Sequence, residues 1–315
     1  MGIDISVVIP TCGRQEMLKD CLNSLFAQDY PKSNIEIIVI DDRNDPGTEN
    51  LINDLKVRHP RLEYFGQDRK GPAVARNLGA KSSSANIIAF VDDDCVVDKS
   101  WVRLMLESHQ NHPQIVCVGG LTSIATQRTS VLVSQFLSTC SIESWVAGKQ
   151  EVIFFPTCNV SFKRHIFGQY QFDETFPLPG GEDLEFFWRL FKDGYRFVWD
   201  KNIKVIHYRD DSFWSFMRQA YIYGRGNFLA QYLHKDHPLL HELKIGKKSF
   251  WPAILMNTLK IFRFSHILGK RLISEDKIKS IYKKISVYSY FVFHKIFYIV
   301  GNIFEYFSVY RSSTG

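Results

Sequence analysis

The sequence predicts an α/β fold, Rossmann-like, with a mainly parallel central sheet and helices on both faces, followed by a helical, basic and aromatic C-terminal extension. Three observations lead there. Short β-branched runs alternate with helical apolar patterns through the first half of the chain. The strand-like runs end in polar residues, as strands buried on both faces do. Beyond about residue 212 the composition turns aromatic and basic. With 315 residues, 45% hydrophobic and 23% charged, the chain can bury a large core, and this composition argues against disorder.

The elements follow in order. "ISVVIPT" (5–11) and "IEIIVIDD" (35–42) are continuous apolar runs that predict strands. Between them Met17, Leu18, Cys21, Leu22, Leu25 and Phe26 fall on one face of a helix. "LEYFG" (62–66) predicts a weaker strand, "PAVARNLGAKS" (72–82) a helix of small residues, and "NIIAFV" (86–91) a further strand. Strand–helix–strand repetition implies right-handed crossovers and parallel pairing. Past residue 115 the alternation breaks down. "IVCVGGLTSI" and "VIFFPTCNVSFKR" read as strands, and "PLPGGEDLEFFWRLFKDGYRFVW" as a Gly-rich loop, a helix and a strand. That helix places Leu184, Phe187, Trp188 and Phe191 on one stripe and stops at Gly194. The expected organisation is a domain over 1–212, in halves of about 1–115 and 116–212, and a helical region over 213–315.

Charge is uneven. From His241 to Gly315 there are 13 Lys and Arg against 4 Asp and Glu, whereas the preceding residues carry 26 against 29. Six cysteines, at 12, 21, 95, 117, 140 and 158, form no C-x-x-C pair and read as reduced core thiols in the cytosol. The first strand begins without a basic and apolar leader ahead of it, so no secretory signal is expected.

Ligands of such sheets bind at the carboxyl ends of the strands. Thr11, Asp41, Asp42 and the triplet Asp92–Asp94 all fall there. If the strand stays extended past Val91, Asp92 and Asp94 project to one side, where two carboxylates can share a hard divalent ion. The competing reading, an acidic turn capping the next helix, is already met by Asp98 or Ser100. In "IVIDDRND" a carboxylate can accept from a nucleobase or ribose, or simply form a solvated turn with Asn44, Asp45, Pro46 and Gly47. Gly71 and Pro72 open a helix able to receive a phosphate. Arg76 on that helix can grip a diphosphate, or be an ordinary surface arginine. In "PGGEDLEF", Glu182 and Asp183 occupy a first helical turn, which the helix dipole favours in any case. The two glycines before them permit close approach of a ligand, and a carboxylate facing a cleft can take a proton from a hydroxyl. His207, ending "KVIH", is a candidate third metal or diphosphate ligand, or a structural histidine.

These pieces in this order resemble the family 2 glycosyltransferases with the GT-A fold. The matching elements are "SVVIPTCGR", "IIVIDDRNDPGT", "GPAVARNLGA", "IIAFVDDD", "TCNVSFKR", "GGEDLEFFWRLFKDGYRF" and "HYRDDSFWSFMRQAYIYGRGN", spanning roughly residues 4–227. The resemblance implies a nucleotide-sugar donor, a metal site of the DxD type and inversion at the anomeric carbon. It implies that Pro10, Thr11 and Arg14 line the nucleotide pocket, that Asp42 meets the base, and that Arg76 approaches the nucleotide. Asp92 would meet ribose or metal, Asp94 would ligate Mn²⁺ or Mg²⁺, and His207 would complete the metal or diphosphate site. Asp183 would be the general base, with Glu182 beside it.

The expected activity is hexosyl-type transfer, with UDP-sugars favoured as donors and a glycan or lipid-linked acceptor. A nucleotidyltransferase would need a Gly-rich basic loop after the first strand, which "PTCGRQEM" imitates poorly. A dinucleotide-dependent oxidoreductase fails for want of G-x-G-x-x-G. A catalytically idle nucleotide-binding or membrane scaffold is the reading from another class, and the acids at 92, 94 and 183 argue against it. In the tail, "YSYFVFHKIFYIVGNIFEYF" (288–307) is interrupted by Lys295 and Glu305, so no uncharged run reaches the ~18–20 residues of a spanning helix. Basic aromatic helices lie at a bilayer surface instead. The expected location is cytoplasmic and peripheral, on the inner face of the membrane, with no nucleic-acid partner. A helical cap or an oligomer interface are the other uses for such a tail.

Overall fold

The computed structural model describes residues 2–124, 149–176, 179–208, 212–234 and 281–313, with several further residues between 130 and 146 and at 236–237. It divides into two compact units. The first comprises 1–125, 152–177 and 182–208; the second comprises 126–151, 178–181 and 209–315. The second unit thus takes two short segments from inside the expected 1–212 domain. Residues 238–280, which hold much of the basic charge of the tail, lie outside the described residues.

The first unit is built on one eight-stranded sheet. Strands β1 (Ile5–Thr11), β2 (Ile35–Asp41), β3 (Leu62–Gly66) and β4 (Ile87–Phe90) alternate with helices α1 (Gln15–Phe26), α2 (Pro46–Lys56) and α3 (Pro72–Ser82). After them come β5 (Cys95–Val97), α4 (Trp101–Asn111), β6 (Cys117–Ile124), β9 (Val160–Lys163), α5 (Glu182–Lys192) and β10 (Phe197–His207), while β7 (Glu143–Val146) and β8 (Lys149–Val152) pair as a separate two-stranded sheet lying almost wholly within the second unit's segment. The order across the sheet is β3-β2-β1-β4-β9-β6-β10-β5. β1 runs parallel to β2 and β4, β2 to β3, and β6 to β10. β9 lies antiparallel between β4 and β6, and β5 antiparallel on β10. Parallel pairing therefore predominates, as predicted, with one strand of reversed direction at the centre.

The apolar runs are buried as their pattern requires. Ile5, Val7 and Ile9 pack with Leu18, Cys21, Leu22 and Leu25 of α1, and with Val102 and Met105 of α4. Met17, predicted on the same face, is exposed instead. Because strand residues alternate faces, Phe90 points away from that core. It meets Phe162, Phe167 and Phe172 edge-on at 5.7–6.1 Å. Phe172 stacks on Phe186 of α5 at 4.4 Å, and Phe162 contacts Phe186 and Phe187. This cluster of rings seats α5 on the sheet. "VIFFPTCNVSFKR" is not one strand: the backbone turns from Pro156 to Asn159, whose N–H donates to the Pro156 carbonyl, and only Val160–Lys163 joins the sheet. Asn159 fixes that turn, accepting from Trp101 Nε1 at 2.8 Å and donating to the Ile203 carbonyl at 3.3 Å.

In the second unit, α6 (Phe213–Leu233) and α7 (Ile281–Ser313) pack along one another. Phe216, Met217, Val287 and Phe291 form its core with Val133 and Phe136. The helices approach closely because a Cβ on Gly224 would strike the Tyr298 carbonyl, and one on Gly301 the Tyr221 carbonyl. Arg225 pairs with Glu305 at 2.6 Å, and Lys295 lies over the Tyr298 ring. Both charges predicted to interrupt the apolar run are thus engaged within the unit. Among the described residues one stretch, Ile285–Val309, is long and apolar enough to cross a membrane by length and composition.

Gly79 lets α3 settle onto β1, for a Cβ there would meet the Val8 side chain. Gly79→Val should therefore lower stability by ~1–3 kcal/mol, the usual cost of overpacking; thermal unfolding of the variant against the parent measures this.

Candidate active site

The triplet after β4 does not continue as a strand. Asp93 and Asp94 form a turn, closed by a hydrogen bond from the Cys95 N–H to the Asp92 carbonyl at 3.1 Å. The backbone is therefore not extended past Asp92, and the condition on which Asp92 and Asp94 were expected to project to one side as alternate strand residues is not met. Asp93 points inward and is fully buried. It accepts from Thr11 Oγ1 at 2.6 Å and from Arg14 Nε at 3.1 Å, and pairs with the Arg14 guanidinium. Asp94 accepts from Arg14 Nη1 at 2.7 Å and from His207 Nε2 at 2.9 Å. Asp92 faces Arg76 Nη2 at 3.3 Å.

Packing three acids together has electrostatic consequences. Burial pushes the Asp93 carboxyl up to about 6, against the opposing pull of Arg14 and Thr11. Burial also disfavours the His207 imidazolium, but its hydrogen bond to Asp94 and the surrounding negative charge outweigh it, and its pKa lies above the ordinary value. The acids thus find positive charge within the chain, in Arg14, Arg76 and His207.

Arg76 is not a surface arginine. It is buried, and its guanidinium spans Asp92 and Glu182, the latter at 2.9 Å from Nη1. Glu182, also buried, and Asp183 open α5, as the sequence predicts. Asp183 accepts from the Leu184 N–H at 2.8 Å. Loss of water raises its carboxyl to about 7; the adjacent Glu182 adds to the rise and Arg76 opposes it. Asp94 and Asp183 therefore belong to one constellation, joined through Asp92, Arg76 and Glu182.

Other expected residues have different surroundings. Asp42 is not a solvated turn residue: its carboxylate accepts from Gln67 Nε2 at 2.6 Å, from the Lys70 N–H at 2.7 Å and from the Gly71 N–H at 3.1 Å. It ties the loop before α3 to the end of β2. Asp41 is a structural residue, accepting from the N–H groups of Arg43 and Asp45 and from Tyr64 Oη. Pro10 pairs with Ile40 inside the parallel ladder, one residue before Thr11. Gly180 and Gly181 have φ of +148° and +100°, conformations that suit glycine. The close approach they permit is made by the backbone of Gly226, which a Cβ on Gly181 would meet at 2.6 Å.

Reasoning from sequence missed Asp93, whose only signal was its place between two candidate ligands. It also missed Cys95 and Cys158, which are buried beside His207. Cys12, taken as a core thiol, is exposed, whereas Cys21, Cys95, Cys117 and Cys158 are buried. Cys140 lies outside the described residues. The chemistry of Asp92, Asp94 and His207, two carboxylates and an imidazole, suits a divalent ion such as Mn²⁺ or Mg²⁺. Asp92 keeps about a quarter of its side chain exposed.

Residues 6–171, more than half of the chain, match the glycosyl transferase family 2 profile. A dolichyl N-acetyl-alpha-D-glucosaminyl phosphate 3-beta-D-2,3-diacetamido-2,3-dideoxy-beta-D-glucuronosyltransferase from Methanococcus voltae is 24% identical over 240 residues, 70% of this chain and 71% of its own length. Glucosyl-dolichyl phosphate glucuronosyltransferase from Haloferax volcanii is 24% identical over 169 residues, and this match spans 52% of this chain and 53% of that relative. Among solved structures, the mannosyltransferase PcManGT from Pyrobaculum calidifontis, in complex with GDP-Man and Mn²⁺, has the same fold. Its TM-score is 0.67 at 14% identity, over 96% of this chain and 87% of that one. With a mainly parallel sheet that gathers its acids at one edge and this family match, the chain belongs to glycosyl transferase family 2 and is a transferase of the GT-A fold.

Proposed function

We propose that the chain transfers a sugar, with inversion, from a nucleotide-sugar donor to a hydroxyl of a glycan or lipid-linked acceptor. The observation that carries this reading is the Asp183 carboxyl. It stands at the head of α5, is raised to about 7, and is linked through Glu182 and Arg76 to the acids after β4. A base with a pKa near neutrality is half-ionised at working pH and still strong enough to remove a hydroxyl proton.

Asp183 takes the acceptor's proton as the hydroxyl oxygen attacks the sugar C1 from the face opposite the leaving group. Arg76 neutralises Glu182, so the neighbouring charge does not drive Asp183 further up. Asp92, Asp94 and His207 would hold Mn²⁺ or Mg²⁺, which supplies positive charge for the departing diphosphate. Thr11 and Arg14 fix Asp93 and Asp94, and with Pro10 and Asp42 border the nucleotide. Two of the named relatives act on dolichyl phosphate-linked sugars, which supports a lipid-linked acceptor. Exposed Trp214, Phe304 and Phe307, on helices of a basic region, support peripheral attachment to a membrane surface.

Thermal shift with UDP and with GDP, each with and without Mn²⁺, tests the donor half. Stabilisation by one nucleoside diphosphate that requires the metal is expected, and stabilisation by neither would remove the reading. Asp183→Asn should lower the rate of transfer ~10²–10⁴-fold while the affinity for donor, measured by calorimetry, stays close to the parent's. Loss of donor binding in parallel would overturn the assignment of the base. Since Asp183 must be ionised to act, kcat/KM should fall as pH drops below about 7. Arg76 holds that pKa down, so in Arg76→Gln the rising limb of the pH profile should move to higher pH, and Arg76→Lys should restore part of the displacement.

A further inference from the structure

Two thiols and an imidazole meet beside the acidic triplet. Cys95 opens β5 directly after it, Cys158 sits in the turn ahead of β9, and His207 closes β10. Both cysteines are buried. Their Sγ atoms and a ring nitrogen of His207 lie within 4.8 Å of one another. Asp94 Oδ1 borders this group, 3.9 Å from Cys95 Sγ and 2.9 Å from His207 Nε2. Sugar transfer as proposed above gives roles to Asp94 and His207 and none to the thiols.

Donor chemistry separates two kinds of ion here. A hard ion such as Mg²⁺ binds oxygen and gains nothing from sulfur. Two thiolates, an imidazole and a carboxylate form instead the tetrahedral set that Zn²⁺ favours. Bond lengths of about 2.3 Å to sulfur and 2.0–2.1 Å to nitrogen would place the donors roughly 3.3–3.8 Å apart. The two sulfurs and the His207 nitrogen, now up to 4.8 Å apart, close to that by side-chain movements on the order of 1 Å, and Asp94 turns in from beside Cys95 and His207. Each thiol releases its proton to solvent when the ion binds.

We propose that Cys95, Cys158, His207 and Asp94 bind one Zn²⁺ ion. This site shares Asp94 and His207 with the ion site of the transfer reaction. Occupation by Zn²⁺ turns both toward sulfur, so the two ions exclude one another, and Zn²⁺ acts as a brake on transfer. The binding site stands on its own donors, and only the brake rests on the transferase reading.

The test uses the full chain, reduced and freed of metal by a chelator, titrated with Co²⁺ as a coloured substitute for Zn²⁺. The expected result is a near-ultraviolet thiolate-to-cobalt charge-transfer band with intense visible bands of a tetrahedral centre. These should saturate at one ion per chain, vanish on adding one equivalent of Zn²⁺, and weaken under excess Mn²⁺. Cys95→Ser and Cys158→Ser should each remove about half of the near-ultraviolet band, one thiolate of two, and Cys12→Ser none of it. Cobalt binding without the sulfur band, or a band that survives in the Cys95→Ser, Cys158→Ser double variant, overturns the proposal. A band indifferent to Mn²⁺ overturns the sharing of donors. Should the serine variants fail to fold, the parent protein's stoichiometry, the Zn²⁺ displacement and the Mn²⁺ competition still decide. No sugar transfer is read, so failure here is separate from failure of the transferase reading.

Discussion

The ion pair at the centre of the first unit is Arg76 between Glu182 and Asp92. It joins segments 106 and 16 residues away along the chain, and it is what allows acids from both to end in one place. Removing one partner from a buried pair typically costs ~3–5 kcal/mol, because the remaining charge has no water to turn to. The ring cluster of Phe90, Phe162, Phe172 and Phe186 brings α5 to the sheet; the guanidinium then sets the electrostatic environment of its first turn. Packing provides the seat and charge provides the alignment.

The acids after β4 divide their work because the turn separates them. Asp93 looks inward to Thr11 and Arg14 and serves the scaffold. Asp94 looks to Arg14 and His207, whose positions come from two other parts of the chain, the start of α1 and the end of β10. Asp92 is the member that faces Arg76. Three like charges side by side are tolerated since each has a cationic neighbour: Arg14 is shared by Asp93 and Asp94, His207 meets Asp94, and buried Arg76 bridges Asp92 and Glu182. Asp42 does similar work at the end of β2, where a single carboxylate gathers three donors from residues 67–71 and shapes the approach to α3.

Much of this was legible in the amino-acid order. Strands β1 to β4, helices α1, α3 and α5, and the collection of acids at the carboxyl edge follow from period and position, since local pattern decides them. What the pattern could not carry is what depends on partners far along the chain. Arg76 reads equally as surface or buried until Glu182 is beside it. Asp92 and Asp94 share a side only if the backbone stays extended, and the 93–94 turn removes that condition. Gly180 and Gly181 signal close approach without saying of what, and here it is Gly226. Cys95 and Cys158 are 63 positions apart in sequence, with no spacing motif to join them.

The reversed strand β9 has a further effect on how this molecule can vary. Val160 lies beside Phe90 and Lys163 beside Ile87, so the polypeptide leaves the sheet at the edge remote from the acids. Residues 164–181 must carry it all the way back before Glu182 and Asp183 can face Arg76. That return path is separate from the strands that bear the triplet. Insertions along it would re-aim the first turn of α5, with Glu182 and Asp183, while sparing the strands that bear the triplet, giving this architecture a built-in place for variation without rebuilding the rest.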